Sequence, residues 1–595
     1  MTSAELNLPD GASLCRSEDV SNLYNLLLRR DVESEAAIES RMQHTIQQTF
    51  RGMVGSAEFS ARVARNVAER GFGASAYLGR GRIDDLLAWA IERLPIETAT
   101  RERLAEAATW ADVDHALLTD RAIMAATQAM QEPEIRLAVE RRCAAKDSGL
   151  DVDTVYVAPS WAFVSGSVDA AVDTPIQSIS LGRPTQTQGS TQSVARRQRQ
   201  GEDASGIDGT LSGFWSVVPL DRPIKSGARL EVTVSADRPR SCLAPTVVPL
   251  TDAKLRDVAL EHLAGPTSRG DPVAEALFQL DNGVAETLID LNRGLTDKIV
   301  GGAGRMCFGG RRAAYDGSIV VCLRGKSESL MLQAALFSQA PGFDRYEFIY
   351  VVSNPELSER LANDAAIASL TYGVAITLIV LPGETSLGAA GNLGAAAAES
   401  DRLLFVGPGV LPRDADWAHR HAQMVESLPA EQTAIFGATL FYDDGSLMHG
   451  GMYFEIEDHH AIRDGRIVRR EVLNVEHYGR GAPPETGPYR AARPVPAVNG
   501  AFLSVERGWF ERLGGFSAEF GFSYGQDADL CFRSLEAGAP VWLHDLPFWH
   551  FELQTPTPGP ADEGARLISR WLLTSKWGEL VKSELNGRQP VRFGG

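Results

Sequence analysis

The hexapeptide GQDADL places two carboxylates, Asp527 and Asp529, two residues apart. The stretch that follows, DLCFRSLEAG, reads as a helix, so Asp527 is expected near a helix amino end, where the dipole favours a negative charge. A carboxylate there either caps the helix or takes a proton from a bound hydroxyl. The histidines are the other candidates: His449 in MHGG, His459 and His460 in IEDHHAIRDGR, and His550 in WHFE. A histidine can ligate a metal, move a proton or pack. The 459/460 pair lies in a polar stretch that reads as an exposed hairpin. His550 is a single imidazole, which alone makes a weak metal site. The six cysteines are scattered with no CxxC pair, so neither a zinc site nor a disulfide framework is expected.

The elements that must position these groups change along the chain. Residues 1–150 read as helical: Val20, Leu23, Tyr24, Leu27 and Leu28 form one apolar stripe, and Ile83, Leu86, Leu87, Ala90, Ile91 and Leu94 another. Residues 151–250 carry short alternating runs punctuated by Pro and Gly, the pattern of a small β-sandwich. Within them, 184–206 is rich in Gln, Ser, Thr and Arg and reads as a loop, with Arg196, Arg197 and Arg199 as a solvated basic cluster. Leu277, Leu280, Val284, Leu288, Leu291 and Leu295 read as one amphipathic helical strut. GGAGRMCFGG at 301–310 has no P-loop lysine and reads as a linker. The expected order is therefore a helical domain (1–150), a β-sandwich (151–250), strut and linker (251–312), and a final domain (313–595).

In that last domain, apolar runs open near Ser318, Tyr346, Val374 and Arg402, each 28 residues after the one before. Helix-like stretches at 327–339, 355–369 and 388–399 separate them. Buried strands alternating with helices predict βαβ units in a mostly parallel, Rossmann-like sheet. Right-handed crossovers put the carboxyl ends of the strands on one edge, where ligands of open α/β sheets bind.

Three blocks in this region carry a resemblance. They are GETSLGAAGNLGAAAAESDRLLFV, FYDDGSLMHGGMYF, and VNGAFLSVERGWFERLGGFSAEFGFSYGQDADLCFRSLEAGAPVWLHDLPFWHFE. In this order they resemble family 2 glycosyltransferases of the GT-A fold, from Ser318 to about Gly578. The last block is the most specific. A weaker likeness covers Tyr24, Leu28, Arg29 and Arg30, then Ser56, Glu58 and Phe59, which resemble a helical module that recurs in bacterial surface and glycosylation proteins. The run WAFVSGSVDAAVDTPIQSISL resembles accessory β-domains of some bacterial glycosyltransferases.

The family resemblance implies a nucleotide-sugar donor bound at the sheet edge and a glycan, lipid-linked or protein acceptor. It implies Asp527 as catalytic base. Leu323, Arg324, Asn354, Gly388, Asn392, Gly407 and Gly409 would line the donor site, and Asn499, Gly500 and Asp529 the acceptor site, with Asp529 expected to be more structural than chemical. His550 matches a metal ligand of some GT-A enzymes. The family's D-x-D motif, whose acids bind Mn2+ or Mg2+, is here Gly407, Pro408 and Gly409, so the usual carboxylate ligands are absent. Asp414 and Asp416 lie where the family begins a helix, and are expected as caps. Arg533 or Lys576, with His550, would have to steady the departing diphosphate instead. Trp509, Phe510 and Phe516 are expected in the core.

The composition fits a multidomain globular protein, with 44% apolar and 23% charged residues. A net charge of −19 disfavours broad binding to nucleic acid or anionic lipid. No apolar stretch approaches a membrane span, and the acidic start MTSAELNLPDG has no secretory core, so a soluble, cytoplasmic chain is expected, peripheral at the inner membrane if its acceptor is lipid-linked. Two functions remain open: an inverting transferase in bacterial surface polysaccharide or glycoconjugate synthesis, and a catalytically inactive relative serving as scaffold or glycan binder. Composition leaves the oligomeric state unknown.

Overall fold

The computed structural model describes residues 13–70, 83–107, 110–169, 175–183, 186–197, 211–225, 230–244, 247–265, 271–324, 329–427, 433–463, 466–522, 524–551 and 559–585. Contacts divide the chain into two units, 1–249 and 250–595.

In the first unit, short helices share one apolar core that includes Val20, Leu23, Leu27, Phe50, Phe59 and Leu117. Local capping sets their starts. Ser34 accepts the Ala37 N–H ahead of Glu35–Met42, and Thr45 forms a capping box with Gln48 ahead of Ile46–Val54. The module-like residues are structural staples. Arg30 makes a two-pronged pair with Glu58 at 2.7 and 2.8 Å, Tyr24 donates to Glu33 at 3.1 Å, and Ser56 caps the turn that buries Phe59. The β part consists of a five-stranded and a four-stranded sheet. Ile179, Val232 and Val234 of the smaller sheet join Val155, Val164 and Val218 of the larger in one apolar cluster. Gln186–Thr191 and Ala195–Arg197 are strands in these sheets, which corrects the loop expected there. Their polar residues pair through the backbone, so hydropathy alone conceals them. Arg199 and residues 198–206 lie outside the described residues.

In the second unit, helices α1 (Asp252–Ala264), α2 (Pro272–Gln279) and α3 (Ala285–Gly301) precede the sheet. The expected single strut is two helices, because Asn282 and Gly283 leave helical geometry between them and Gly283 takes φ +89°. The expected linker is also corrected. Residues Gly304–Phe308 form β1, an edge strand antiparallel to β4. Strands β2 (Gly317–Leu323), β3 (Tyr346–Val352), β4 (Ala375–Val380) and β5 (Arg402–Val406) are parallel neighbours in the order β4-β3-β2-β5. Helices α4 (Leu330–Phe337), α5 (Ser358–Tyr372) and α6 (Leu387–Ala397) connect them. β2, β3 and β4 are buried nearly throughout, which is why each reads as a continuous apolar run.

Beyond β5 the sheet is mixed, not mostly parallel. β6 (Val410–Pro412), β7 (Ile435–Phe441), β8 (Leu447–His449), the long hairpin β9 (Met452–Arg463) and β10 (Arg466–His477), β11 (Arg493–Pro494), β12 (Phe502–Glu506) and β13 (Val541–His550) follow. β12 runs antiparallel to both β5 and β7, and β13 lies parallel to β7. Helices α7 (Trp417–Glu426), α8 (Arg507–Arg512), α9 (Gln526–Glu536) and α10 (Pro560–Leu580) complete the unit. Phe337, Phe348, Trp417 and Phe548 form an aromatic core beneath the sheet, with Phe337 ring centroids 5.1–6.0 Å from the other three. No helix among the described residues is long and apolar enough to cross a membrane.

Candidate functional site

Asp527 is the second residue of α9. Gly525 precedes the helix at φ +82°, where an added Cβ would come within 2.8 Å of Leu573, so the sharp entry depends on glycine. The carboxylate is partly buried. Oδ2 accepts the Gly500 N–H at 2.8 Å and Oδ1 accepts the Ala528 N–H at 2.9 Å. Loss of solvent pushes its carboxyl above the usual range, and the backbone donors only partly offset this. A carboxylate made more basic but still held in place suits proton abstraction.

The turn facing it is fully committed. Asn499 N–H donates to His449 Nε2 at 3.2 Å, Gly500 N–H to Asp527, and Ala501 N–H to the Asn499 side chain at 2.7 Å. Ala501 O accepts the Gly407 N–H at 2.8 Å, so the acceptor-side turn is tied directly to the glycine turn after β5. Gly407 O accepts from Val410 N–H at 3.0 Å and from Gln333 Nε2 at 2.8 Å, and Tyr350 steadies Gln333. Gly409 O accepts the Phe551 N–H at 2.9 Å.

This turn does not fit a divalent cation. Gly407 and Gly409 offer no side chain, and an added Cβ at 407 would lie 3.2 Å from Val410 Cγ2. Among the described residues no group of three His, Cys, Asp or Glu could hold a metal. His550 stands opposite Val410 in the β6–β13 pair and belongs to no such group among the described residues. His459 belongs to the β9–β10 hairpin, where it pairs with Asp271 at the amino end of α2.

Several expected ligand residues are structural instead. Asp529 is 0% exposed and binds Arg533 at 2.8 Å, Lys576 at 3.1 Å and Trp577 Nε1 at 3.0 Å, so its carboxylate is occupied inside the fold. Arg533 also donates to Leu513 O and Gly515 O, and Lys576 also pairs with Glu519, so neither is placed to meet a diphosphate. Asn392 exchanges two 2.8 Å hydrogen bonds with the Phe516 backbone, holding α6 to the 515–516 turn and not a donor. Gly388 allows close packing, since a Cβ there would stand 3.1 Å from Phe516. Asp414 pairs with Arg420 at 2.8 Å, and Asp416 stands at the cap position of α7 without capping through its side chain. Phe510 and Phe516 pack on Phe405, with centroids 5.1 and 4.9 Å away, as core residues.

Leu323, Asn354 and Gly407 do share the carboxyl edge of β2, β3 and β5. Leu323 is buried and accepts the Ser353 N–H at 2.9 Å, while Asn354 Oδ1 accepts the Glu356 N–H at 3.0 Å within its own turn. Arg324, beside them, is half-buried. Sequence reasoning passed over the oxygens of Ser353, Thr385 and Gln526, which are buried without a hydrogen-bond partner among the described residues. Ser353 and Thr385 follow β3 and β4, and Gln526 adjoins Asp527. Such groups are satisfied by water or by a ligand. For Ser353 the available signal was its position just after the end of β3. His477 and Gln333 were also missed; Gln333 is the one polar residue inside the apolar helix LMLQAALF.

No protein-family model matches the chain, and no curated protein matches it. Among solved structures, a crystal structure of GalNAc-T7 with UDP, GalNAc and Mn2+ aligns at 13% identity and a TM-score of 0.30, covering 47% of this chain and 52% of that one. The mannosyltransferase PcManGT from Pyrobaculum calidifontis, in complex with GDP-Man and Mn2+, aligns at 12% identity and a TM-score of 0.28, covering 56% of this chain and 88% of that one. The chain thus spans about half the length of the GalNAc-T7 structure. Likeness this loose leaves the function to be argued from the site. What fold and site define is a mixed α/β unit with one basic carboxylate beside the carboxyl edge of four parallel strands.

Proposed function

We propose that the second unit is a nucleotide-sugar-dependent glycosyltransferase related to family 2, with Asp527 as the base. The observation that carries this reading is Asp527 itself: half-buried, more basic than usual, and fixed by the Gly500 N–H next to the turn that follows β5. The donor lies across the ends of β2–β5. Asp527 takes the proton of an acceptor hydroxyl as that oxygen bonds to the anomeric carbon. The bond from that carbon to the diphosphate oxygen breaks, its electron pair leaves with the phosphate, and the anomeric centre inverts. Diphosphate charge is met by backbone N–H groups and the polar residues at the edge, with no metal step. The ordered motif blocks support an acceptor in bacterial surface polysaccharide or glycoconjugate synthesis: a glycan, a lipid-linked sugar or a protein, with peripheral membrane docking in the lipid-linked case.

The test is release of nucleoside diphosphate from a panel of UDP-, GDP- and dTDP-sugars in EDTA. One accepted donor is the expected result, and no turnover of any donor would overturn the reading. A second reading, a non-catalytic glycan-binding scaffold, is favoured by one observation: Asn392, Asp529, Arg533 and Lys576 are all spent on internal contacts.

A further inference from the structure

We propose that His449 and His477 form a positioning pair that holds the 499–501 turn and, through the Gly500 N–H, aims the Asp527 carboxylate. The inference takes from the glycosyltransferase reading only which reaction the carboxylate serves.

The geometry sets the proton positions. His449 is 1% exposed, and its Nε2 accepts the Asn499 N–H at 3.2 Å, so that nitrogen carries no proton. A neutral His449 must then be protonated at Nδ1. This Nδ1 lies 2.7 Å from His477 Nδ1, with the rings edge to face at 72°. His449 therefore donates and His477 accepts, which leaves the His477 proton on Nε2. The charged and titratable groups around the pair keep both rings neutral. Burial comes first, then His477, Arg493 and His550 hold His449 well below its ordinary pKa. Burial, Arg480 and His550 bring His477 down to about 4. Arg493 is itself fixed by donating to Gly450 O, one residue after His449.

The consequence follows the hydrogen bonds. Among the described residues, each of the N–H groups of 499, 500 and 501 has a single acceptor, and that of 499 is His449. Removing this acceptor orphans a partly buried N–H, and the turn must shift to find another partner. Gly500 moves with it, and so does one of the two donors that orient Asp527. His449 touches no reacting atom in this arrangement. It acts on the rate through the turn.

The test uses the full chain with His449→Phe and His449→Gln. Glutamine supplies an oxygen for the Asn499 N–H and an amide N–H for His477; phenylalanine supplies neither. With an accepted nucleotide-sugar, His449→Phe is expected to lower kcat about tenfold or more while the donor KM stays within about twofold, and His449→Gln to recover to within about threefold of wild type. Equal losses in both variants, or a change confined to KM, would overturn the proposal. Lack of turnover in the wild type would sink the enzymatic reading alone. The pair is then decided by long-range 1H–15N spectra of the chain labelled with 15N-histidine: Nδ1–H at His449 and Nε2–H at His477 are expected, and an Nε2–H tautomer at His449 overturns it.

Discussion

The two halves of the candidate site treat charge in opposite ways. At the amino end of α9, Asp527 keeps a carboxylate in a half-buried place, at an electrostatic cost seen in its raised pKa. At the turn after β5, Gly407 and Gly409 bring no charge, and all the contacts found there run through backbone atoms, Gln333 and Val410. The same hydrogen bond, Gly407 N–H to Ala501 O, joins the two halves. Such a site can activate a nucleophile with its own side chain, while the leaving group must be met by oriented dipoles. On the proposed reading, base and metal are separable parts of the site: the proposed base Asp527 is present, while Gly407 and Gly409 supply no carboxylate ligand.

The largest effect that would break this contrast is at the base. Asp527→Asn should lower turnover by about 10²–10⁴-fold and leave nucleoside diphosphate affinity near wild type, measured by steady-state kinetics and calorimetry. Unchanged turnover would remove Asp527 from the chemistry. Next is the buried carboxylate two residues on. Asp529→Ala leaves Arg533 and Lys576 without their buried partner and should cost about 2–3 kcal/mol in denaturant unfolding, scaled down from a fully buried pair because Lys576 is partly exposed. A shift under about 0.5 kcal/mol would mean that it is not a structural anchor.

At the glycine turn, Gly407→Asp must press on Val410 and should destabilise by about 1–2 kcal/mol without creating Mn2+-dependent nucleotide binding, since one carboxylate lacks companions. Tight Mn2+-dependent binding by this variant would show that the turn is a metal site lacking only its acid. The smallest effect concerns pH. Turnover needs the ionised carboxylate and falls as protonation proceeds on the acid side. Because the Asp527 carboxyl is raised in the free protein, that fall should be centred above the ordinary aspartate value of about 3.9 in a kcat/KM profile. A midpoint at or below it would show a solvated base.

Much of the sheet was legible because parallel strands buried on both faces leave continuous apolar runs. The runs from Ser318, Tyr346, Val374 and Arg402 all became strands within one residue of the expected start. β1 was hidden because an exposed edge strand needs no apolar pattern, and GRMCF lies among glycines. The break at Asn282 and Gly283 was hidden because the leucine spacing carries across it. In the site, type and position mark Asp527 as the candidate carboxylate, and the structure gives it two backbone donors. Asp529 could be read as chiefly structural, but not its partner on a helix near the chain's end, and the role of Asn392 stayed hidden because its partner lies 124 residues away. The His449–His477 contact likewise joins the end of β8 to the end of β10, a pairing that only the closed hairpin creates.

The most direct measurement is calorimetric titration of the metal-stripped chain with UDP, GDP and dTDP, first in EDTA and then in Mn2+. One of the three is expected to bind with the same Kd in both conditions. Binding that appears only with Mn2+, or no binding to any of the three, would contradict a metal-free nucleotide-sugar site.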